Sequence, residues 1–437
     1  MANTYTTYKD SGIPWIGEIP SEWNLERLQT MTYEIVEKNN PIQTNNVLSL
    51  TIKDGVIPYE EKGDVGNKSK DNYEEYKLAY PETIVLNSMN ILIGAVGLCK
   101  YFGCVSPVYY VLKNSPNSNL KYLFYILSSQ PFQRYLRKFA NGILEIRLRI
   151  SSQDIIKRHI PCPSLYEQDS IANFLDEKCS EIDALISFQE KMIDELKAYK
   201  QSVITEAVTK GLDRNVKMKD SGVDWIGEIP KEWKVRAIKY MFRTSKGLNI
   251  TKADLVEQGY PVISYGQIHS KNNTGTSVKE EMIRFVPETF IKTNPECLVS
   301  NGSFIFADTS EDIEGCGNAA YINTINPLFA GYHTVILNPI NQVSNKYFAY
   351  LFLTDCWRSQ IRSLVSGIKV FSISQKIINT TSIIIPSSVE QESIANFLDE
   401  KCSEIDTLIS IKEKKIEELK DYKKSLIYEY VTGKKRV

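Results

Sequence analysis

The segment QDSIANFLDEKCSEIDALIS at residues 168–187 returns almost unchanged as QESIANFLDEKCSEIDTLIS at residues 391–410. Only two of the twenty positions differ. An earlier segment is repeated in the same way, because KDSGIPWIGEIPSEW at residues 9–23 corresponds to KDSGVDWIGEIPKEW at residues 219–233. The chain therefore carries an internal duplication, in which well-preserved segments flank two stretches that have diverged.

Each copy of the longer repeat predicts a long helix with one apolar seam. The seam residues of the first copy alternate in spacings of four and three: Leu175, Cys179, Ile182, Ile186, Gln189, Ile193, Leu196, Lys200, Val203 and Ala207. The second copy repeats them as Leu398, Cys402, Ile405, Ile409, Lys412, Ile416, Leu419, Lys423, Leu426 and Tyr430. This heptad spacing is typical of helices that pair with each other.

The first predicted helix extends from Tyr166 to Lys210, because no proline or glycine interrupts that stretch. About 44 residues at ~1.5 Å each give a length of ~65 Å. Gly211 and Gly433 are expected to end the two helices. We expect an antiparallel pair, since the chain crosses a whole domain between them; the alternative is that each helix packs only on its own domain.

The diverged stretches predict one mixed fold with two different surfaces. VYYVLK at 108–113 and HTVILN at 333–338 have strand character, and KYLFYIL at 121–127 and KYFAYLF at 346–352 have helical character. A chain of 437 residues is long enough for two such domains. We therefore predict an α+β fold with these divisions: an N-terminal repeated segment 1–23, domains 24–165 and 234–388, helices 166–212 and 389–437, and a second N-terminal-type segment 213–233.

Several classes of protein and site lack support in the sequence. The longest uncharged apolar run, at 91–99, is shorter than the ~20 residues that span a bilayer, and the N-terminal residues do not resemble a signal peptide, so we expect a cytoplasmic protein. The eight cysteines stand singly, which predicts neither a metal site nor disulfides.

Motifs of catalysis are also missing from the sequence. It contains no G-x-x-x-x-G-K-[ST] phosphate-binding loop and no nucleophile elbow. Asn326-Pro327-Leu328-Phe329 lacks the second proline of the N-P-P-[YF] element of amino-methyltransferases. We therefore expect no catalytic residues in this chain.

The charge distribution points to nucleic acid although the net charge is only −1. Residues 24–165 hold 17 Lys and Arg against 13 Asp and Glu, and residues 234–389 hold 15 against 11. One basic cluster in the first domain consists of Arg134, Arg137, Lys138, Arg147, Arg149, Lys157 and Arg158; the second domain has Arg358, Arg362, Lys369 and Lys376. Such stripes are candidate phosphate contacts, with an ordinary solvated face as the alternative.

The two repeats and their order resemble the specificity subunit of Type I restriction-modification systems. The resemblance rests on the KDSG-x-x-WIGEIP-x-EW segments and on IPCPSLYEQDSIANFLDEKCSEID and IIIPSSVEQESIANFLDEKCSEID, and it covers nearly the whole chain. It implies two DNA target-recognition domains separated by an antiparallel coiled coil. It also implies a non-catalytic subunit that assembles with two modification (methyltransferase) subunits and with restriction subunits.

The resemblance places the cofactors on those partners: S-adenosylmethionine, ATP and Mg are expected there, and none on this chain. Divergence between the domains implies an asymmetric, bipartite target. Two other hypotheses stay open, a coiled-coil scaffold that binds no DNA and a stand-alone DNA methyltransferase.

The residues predicted to contact DNA are polar or basic, and most differ between the two domains. In the first domain they are Thr51, Lys53, Asn87, Ser88, Asn90, Arg134, Arg137, Arg147 and Arg149. In the second domain they are Tyr265, Gln267, Lys271, Ser300, Asn301, Arg358, Arg362 and Lys369.

Overall fold

A computed structural model describes residues 4–63, 72–141, 148–340, 345–367 and 369–437. The chain divides into two compact units. The first unit contains residues 1–190 and 413–437, and the second contains residues 191–412. Within the described ranges, no helix is long and apolar enough to cross a membrane.

The first unit contains a four-stranded antiparallel main sheet and several two-stranded pairs. Its strands are β1 (Tyr8–Asp10), β2 (Glu18–Pro20), β3 (Asn24–Arg27), β4 (Thr32–Ile35), β5 (Leu48–Thr51), β6 (Gly55–Pro58), β7 (Lys77–Ala79), β8 (Thr83–Asn87), β9 (Val96–Cys99), β10 (Gly103–Val105), β11 (Tyr109–Asn114) and β12 (His159–Cys162). Its helices are α1 (Leu28–Met31), α2 (Leu120–Ser128), α3 (Gln130–Leu136), α4 (Ser152–Ile156) and the first part of α5 (Leu165–Lys210). The main sheet has the order β4-β11-β8-β9, and β1-β2, β3-β12, β5-β6 and β7-β10 form separate pairs.

The second unit has the same main sheet. Its strands are β13 (Met218–Asp220), β14 (Glu228–Pro230), β15 (Lys234–Ala237), β16 (Phe242–Lys246), β17 (Tyr260–Ile263), β18 (Arg284–Val286), β19 (Leu298–Val299), β20 (Phe304–Ala307), β21 (Thr309–Ser310), β22 (Ala319–Tyr321), β23 (Leu328–Ala330), β24 (Thr334–Pro339), β25 (Phe371–Ser372) and β26 (Ser382–Ile385). Its helices are the last part of α5, α6 (Tyr265–Ile268), α7 (Phe290–Thr293), α8 (Lys346–Phe352), α9 (Asp355–Arg362), α10 (Gln375–Thr380) and the first part of α11 (Ser388–Val431).

The sheet orders show that the two units share one scaffold. The order β16-β24-β20-β22 repeats that of the first main sheet, and β13-β14 and β15-β26 repeat the pairs at the domain entrance and exit. The second unit adds the sheet β18-β17-β23-β19, in which β17 and β23 run parallel, and the short ribbon β21-β25. The predicted α+β fold with an internal repeat is confirmed.

Each long helix begins at a Ser-x-x-Glu capping box. The Ser164 hydroxyl accepts a hydrogen bond from the Glu167 amide at 3.3 Å, and the Glu167 carboxylate accepts one from the Ser164 amide at 3.4 Å. Ser387 and Glu390 repeat this arrangement at 3.3 and 3.1 Å. These reciprocal bonds satisfy backbone groups that the first turn of a helix leaves free.

The same two glutamates hold the repeated tryptophans. The indole N–H of Trp23 donates to Glu167 Oε1 at 3.2 Å, and that of Trp233 donates to Glu390 Oε1 at 3.0 Å. Although partial burial opposes the shift, the hydrogen bonds from Ser387 and Trp233 lower the pKa of Glu390 below its usual value. One carboxylate thus ties the KDSG-x-x-WIGEIP-x-EW segment to the start of a helix in each unit.

Each long helix ends at a glycine packed beside a repeated tryptophan. Gly211 has φ of 79° and Gly433 has φ of 69°, the left-handed conformation that favours glycine at a helix end. A Cβ atom on Gly211 would lie 3.2 Å from the Trp233 ring, and one on Gly433 would overlap Pro20. The predicted helix stops are therefore also contact points: the end of α5 meets the second WIGEIP segment, and the helix that ends at Gly433 meets the first.

The predicted seam is the face that both helices bury. All twenty seam positions are buried or half-buried. In the first unit, Lys423 Nζ lies 2.7 Å from Asp183, and the rings of Phe174 and Tyr430 lie 4.5 Å apart. In the second unit, the repeat-related pair Lys200 and Asp406 is also 2.7 Å apart. The antiparallel pairing is therefore confirmed inside each unit.

Matching tyrosines attach each domain to its helix pair. Tyr122 and Tyr347 are fully buried, and their hydroxyls donate to the helix-end carbonyls of Val431, at 3.2 Å, and Val208, at 2.8 Å. Burial raises the pKa of both phenols well above the usual value, so both remain protonated donors. One helical turn further on, Tyr125 and Tyr350 donate to Asp176 and Asp399, each at 2.7 Å.

Candidate nucleic-acid interface

Several predicted contact residues of the first domain meet near the C-terminal end of strand β8. This surface (residues 51–54, 87–95 and 149–150) is here called the first-domain edge. Ile52 in the β5-β6 turn approaches Gly94, so this turn lies beside the loop between β8 and β9. The amide of Ile150 donates to the Ser88 carbonyl at 3.1 Å, which places Arg149 beside the same loop. Lys53, Asn90 and Arg149 are exposed there.

Other predicted residues of this edge shape the loop itself. Asn87 is 6% exposed, and its side-chain oxygen accepts hydrogen bonds from the amides of Met89, at 2.9 Å, and Asn90, at 3.3 Å. Ser88 is also 6% exposed. Thr51 accepts from the Asp54 amide at 2.9 Å and so closes the β5-β6 turn. These three residues fix the backbone that presents Lys53 and Asn90.

The strand register identifies the matching place in the second domain. Ile84 of β8 is the cross-strand partner of Leu112 in β11, and Phe304 of β20 is likewise the partner of Leu337 in β24. Just after these strands, the amide of Ser88 donates to the Val108 carbonyl. The amide of Asp308 donates in the same way to the His333 carbonyl. Ile150 likewise donates to Ser88 as Ile373 donates to Asp308. The counterpart of the first-domain edge is therefore the region around Asp308 and the ribbon β21-β25.

A cleft of about 780 Å³ opens beside this ribbon. Its walls include Tyr265, His269, Glu311, Asp312, His333 and Val370, and it is called here the second-domain cleft. His269 is held on both ring nitrogens, because Asn318 donates to Nδ1 at 3.1 Å and Nε2 lies 2.8 Å from the Thr309 carbonyl oxygen. These two contacts hold the imidazole ring as a fixed part of the wall.

The tyrosine predicted from the sequence stands at the centre of the aromatic side of this cleft. The ring of Tyr265 lies 6.3 Å from His269, 5.6 Å from Tyr332 and 5.4 Å from His333. His333 Nδ1 lies 3.3 Å from Asp308 Oδ1. Aromatic faces, an imidazole and carboxylates together supply stacking surfaces and hydrogen-bond acceptors of the kind that base edges require.

The remaining predicted residues of the second domain lie in different places. Lys369 is exposed and precedes Val370 of the cleft, and exposed Lys271 follows α6. The Gln267 side chain accepts from the Ser264 amide at 3.1 Å and so caps α6. Ser300 and Asn301 precede β20, whereas Asp308 follows it, so these two residues stand at the opposite end of that strand from the cleft.

The predicted arginines fall into two groups. Arg134 and Arg137 are exposed at the end of α3, a helix that packs against residues 91–93 of the first-domain edge. In the second domain, Arg358 Nε donates to the Phe352 carbonyl at 2.9 Å, and burial, together with neighbouring Arg362, lowers its pKa to about 10. Arg362 pairs with Asp355 at 3.0 Å and donates to the Glu314 carbonyl at 2.8 Å. Arg147 lies outside the described residues.

Sequence reasoning missed Asp308 and His333, the residues that correspond to Ser88 and Val108. Their signal was present in the apolar runs IVL at 84–86 and FIF at 304–306, each of which leads within two residues to the polar position Ser88 or Asp308. Aligning those runs, instead of choosing exposed polar residues nearby, would have selected Asp308 in place of Ser300 and Asn301.

The cysteines and possible metal ligands add no chemistry to these surfaces. All eight cysteines are free, and burial raises the pKa of the seam thiols Cys179 and Cys402, as expected for small buried hydrophobic residues. In the part of the chain that the structure describes, no group of three or more His, Cys, Asp or Glu side chains is placed to hold a metal ion.

Comparison with known proteins gives one family. The sequence profile described as Type I restriction modification DNA specificity domain matches residues 20–198 and again 230–421. The Type I restriction enzyme MjaVIII specificity subunit of Methanocaldococcus jannaschii is 26% identical over 319 residues, covering 72% of this chain and 70% of that protein. The putative type I restriction enzyme MjaX specificity subunit of the same organism is 26% identical over 444 residues, covering 97% and 96%.

Solved structures share the fold. A chain from a study of complex assembly and conformational transition of the type I R-M system superposes with a TM-score of 0.70 at 11% identity, over 94% of this chain and 98% of the other. The crystal structure of the HsdS subunit from Thermoanaerobacter tengcongensis gives a TM-score of 0.51 at 13% identity, over 95% and 98%. With both repeats matched by the profile, the chain belongs to the family of Type I restriction-modification specificity subunits, which are non-catalytic components of their complexes.

Proposed function

We propose that this chain is the sequence-specific DNA-binding subunit of a Type I restriction-modification complex, and that each domain reads one half of an asymmetric, bipartite target. The proposal rests on one observation: the two repeats share their internal contacts but differ in their exposed surfaces. The same Trp-Glu and Tyr-carbonyl contacts with the long helices recur in both units, whereas the edges at Ser88 and Asp308 share almost no side chains. A shared scaffold with different exposed edges suits two domains that read different bases.

The chemistry of both edges supports DNA as the ligand. Lys53, Asn90 and Arg149 in the first domain are exposed donors, and Arg134 and Arg137 lie on the neighbouring helix. Arginine and lysine bind phosphates and guanine, and asparagine pairs with adenine. The second-domain cleft offers mainly acceptors and aromatic faces, so the two domains are expected to favour different bases.

The preserved segments are proposed to bind the partners. Two nearly identical copies of the WIGEIP segment and of the long helix would bind two copies of one modification subunit, in a twofold arrangement that matches the repeat. Restriction subunits would complete the complex. S-adenosylmethionine, ATP and Mg would then act on those subunits, and the complex would work in the cytoplasm, where the chromosomal DNA is.

The test is reconstitution with the partner modification subunits. We expect the purified chain alone to transfer no methyl group to DNA, and the complex to methylate one motif made of two different, separated parts. Sequencing of methylated bases across a genome that carries the complex measures this directly. Methyl transfer by the chain alone, or a complex without sequence preference, would contradict the proposal.

A further inference from the structure

A second groove, which also borders the β21-β25 ribbon, is lined by three lysines. Its volume is about 720 Å³, and Lys239, Lys246 and Lys376 form its walls, together with Ser372 and Ser374. We call it the lysine groove. Lys239 follows β15, Lys246 ends β16 and Lys376 lies in α10, so three separate elements bring these side chains to one place.

The positive charge of the lysine groove has little internal compensation. All three lysines are exposed, and among the residues that the structure describes none of them makes an ion pair. Lys239 has only the neighbouring ring of Tyr240, 5.3 Å away. The one carboxylate that lines the groove, Asp308, lies 3.3 Å from His333, which belongs to the cleft. A groove with three cations and one shared anion attracts a polyanion.

The lysine groove adjoins the place that corresponds to the first-domain edge. Asp308 and Ser372 line it, and they are the counterparts of Ser88 and Arg149. The cleft with its acceptors and aromatic rings and the groove with its lysines therefore both border the β21-β25 ribbon. This is the division of labour expected at a DNA surface, where base contacts specify and phosphate contacts position.

The first domain lacks the lysines of this groove. The strand register and the helix caps at Ser151 and Ser374 match Lys239 with Gln29, Lys246 with Val36 and Lys376 with Gln153. All three first-domain residues are exposed and uncharged. The three lysines are thus a property of the second domain, whereas the first domain has the exposed cation Arg149 at the position of Ser372.

We propose that the lysine groove binds the phosphate backbone of one DNA strand beside the half-site read by the second domain, and that Lys239, Lys246 and Lys376 contact successive phosphates. This inference rests on the proposed function. It assigns the second domain three phosphate contacts at positions where the first domain has uncharged residues.

The experiment measures the salt dependence of target binding by the complex with modification subunits. In the variant K239Q/K246Q/K376Q, the plot of log affinity against log salt should be shallower by roughly 2 to 3, since each phosphate contact contributes about 0.9 to the slope. The methylated motif should stay the same, because no residue of the cleft is changed. The charge-preserving variant K239R/K246R/K376R should keep the original slope.

A matched control removes the same charge elsewhere in the second domain. Lys252, Lys279 and Lys292 are exposed and lie outside the lysine groove. The variant K252Q/K279Q/K292Q should change the slope by less than 1. Equal changes of the salt slope in the two glutamine variants, or an unchanged slope in the groove variant, would overturn phosphate binding by the lysine groove. Either result would leave sequence-specific binding by the complex intact. Absence of selective binding by the wild-type complex would instead overturn the proposed function, and this inference with it.

Discussion

The side chains best preserved between the two repeats are those that join each WIGEIP-x-EW segment to a long helix, and these contacts are called joints below. Glu167 and Glu390 each cap a long helix and accept a tryptophan N–H, so replacing either would loosen two contacts at once. Hydrogen bonds to an ionised group contribute more than neutral ones. This physical demand explains why S-x-x-E and the preceding EW recur while the domains between them diverge.

Removal of the helix caps should lower stability. Ser164→Ala and Ser387→Ala each delete an N-cap hydroxyl, which costs about 1 kcal/mol. For units of this size, that lowers Tm by about 2–4 °C, measurable by calorimetry of the purified chain.

Repeat-related serines inside the helices provide the control for the caps. Ser170 and Ser393 donate to the carbonyls four residues back, those of Tyr166 and Val389, each at 2.9 Å. Alanine at either position should leave Tm unchanged or slightly higher. A cap variant that behaves like these two would show that the capping boxes do not stabilise the joints.

Residue type alone could not decide which predicted site residues are exposed. Polarity suggested Asn87, Ser88 and Arg358, but all three have internal hydrogen-bond partners that depend on residues distant in sequence or on the local backbone turn. Lys53 and Arg149 are as exposed as their charge suggested. Whether any of them touches DNA stays a prediction.

At the element scale, the long helices could be predicted and the strand register could not. A seam at spacings of three and four extends over ten positions in each helix, so the signal accumulates along the sequence. Most strands of the domains have only two to five residues, and their pairing joins distant segments, as in β3-β12. The second domain also has a whole additional sheet, which hid the match between Ser88 and Asp308 from sequence comparison.

Lengthening the helices should lengthen the gap in the DNA target. We choose the positions after Glu190 and Lys412, the last residues before each helix passes from one unit to the other, so that few contacts inside either unit are disturbed. Four extra residues in each helix add about one turn, or ~6 Å. At ~3.4 Å per base pair, the gap between half-sites should grow by one or two base pairs.

The rotation of the seam provides the control for this insertion. Four residues exceed one turn of 3.6 residues only slightly, whereas two residues turn the seam to the opposite side. The two-residue variant should therefore assemble poorly with its partners. Sequencing of methylated bases reports both variants, and an unchanged gap in an active four-residue variant would show that the helices do not set the spacing.

At the scale of the whole molecule, duplication explains why one chain needs two copies of the same joints. Each unit is closed by helix segments from both repeats, because α11 ends in the core of the first unit and α5 ends in the core of the second. We therefore expect a domain that carries the matching tyrosines to fit either position. The repeats could thus preserve their joints while the exposed edges changed independently.

Each domain is proposed to read its own half-site, and an exchange of domains within this chain tests that proposal. Residues 24–163 are replaced by a copy of residues 234–386, which keeps the docking set, because Lys346, Tyr347 and Tyr350 occupy the places of Lys121, Tyr122 and Tyr125. The complex with this variant should methylate a palindromic motif, two inverted copies of the half-site that the second domain reads in the wild type. Survival of the original asymmetric motif, or an active variant whose motif contains neither half, would show that the two domains do not read separate half-sites.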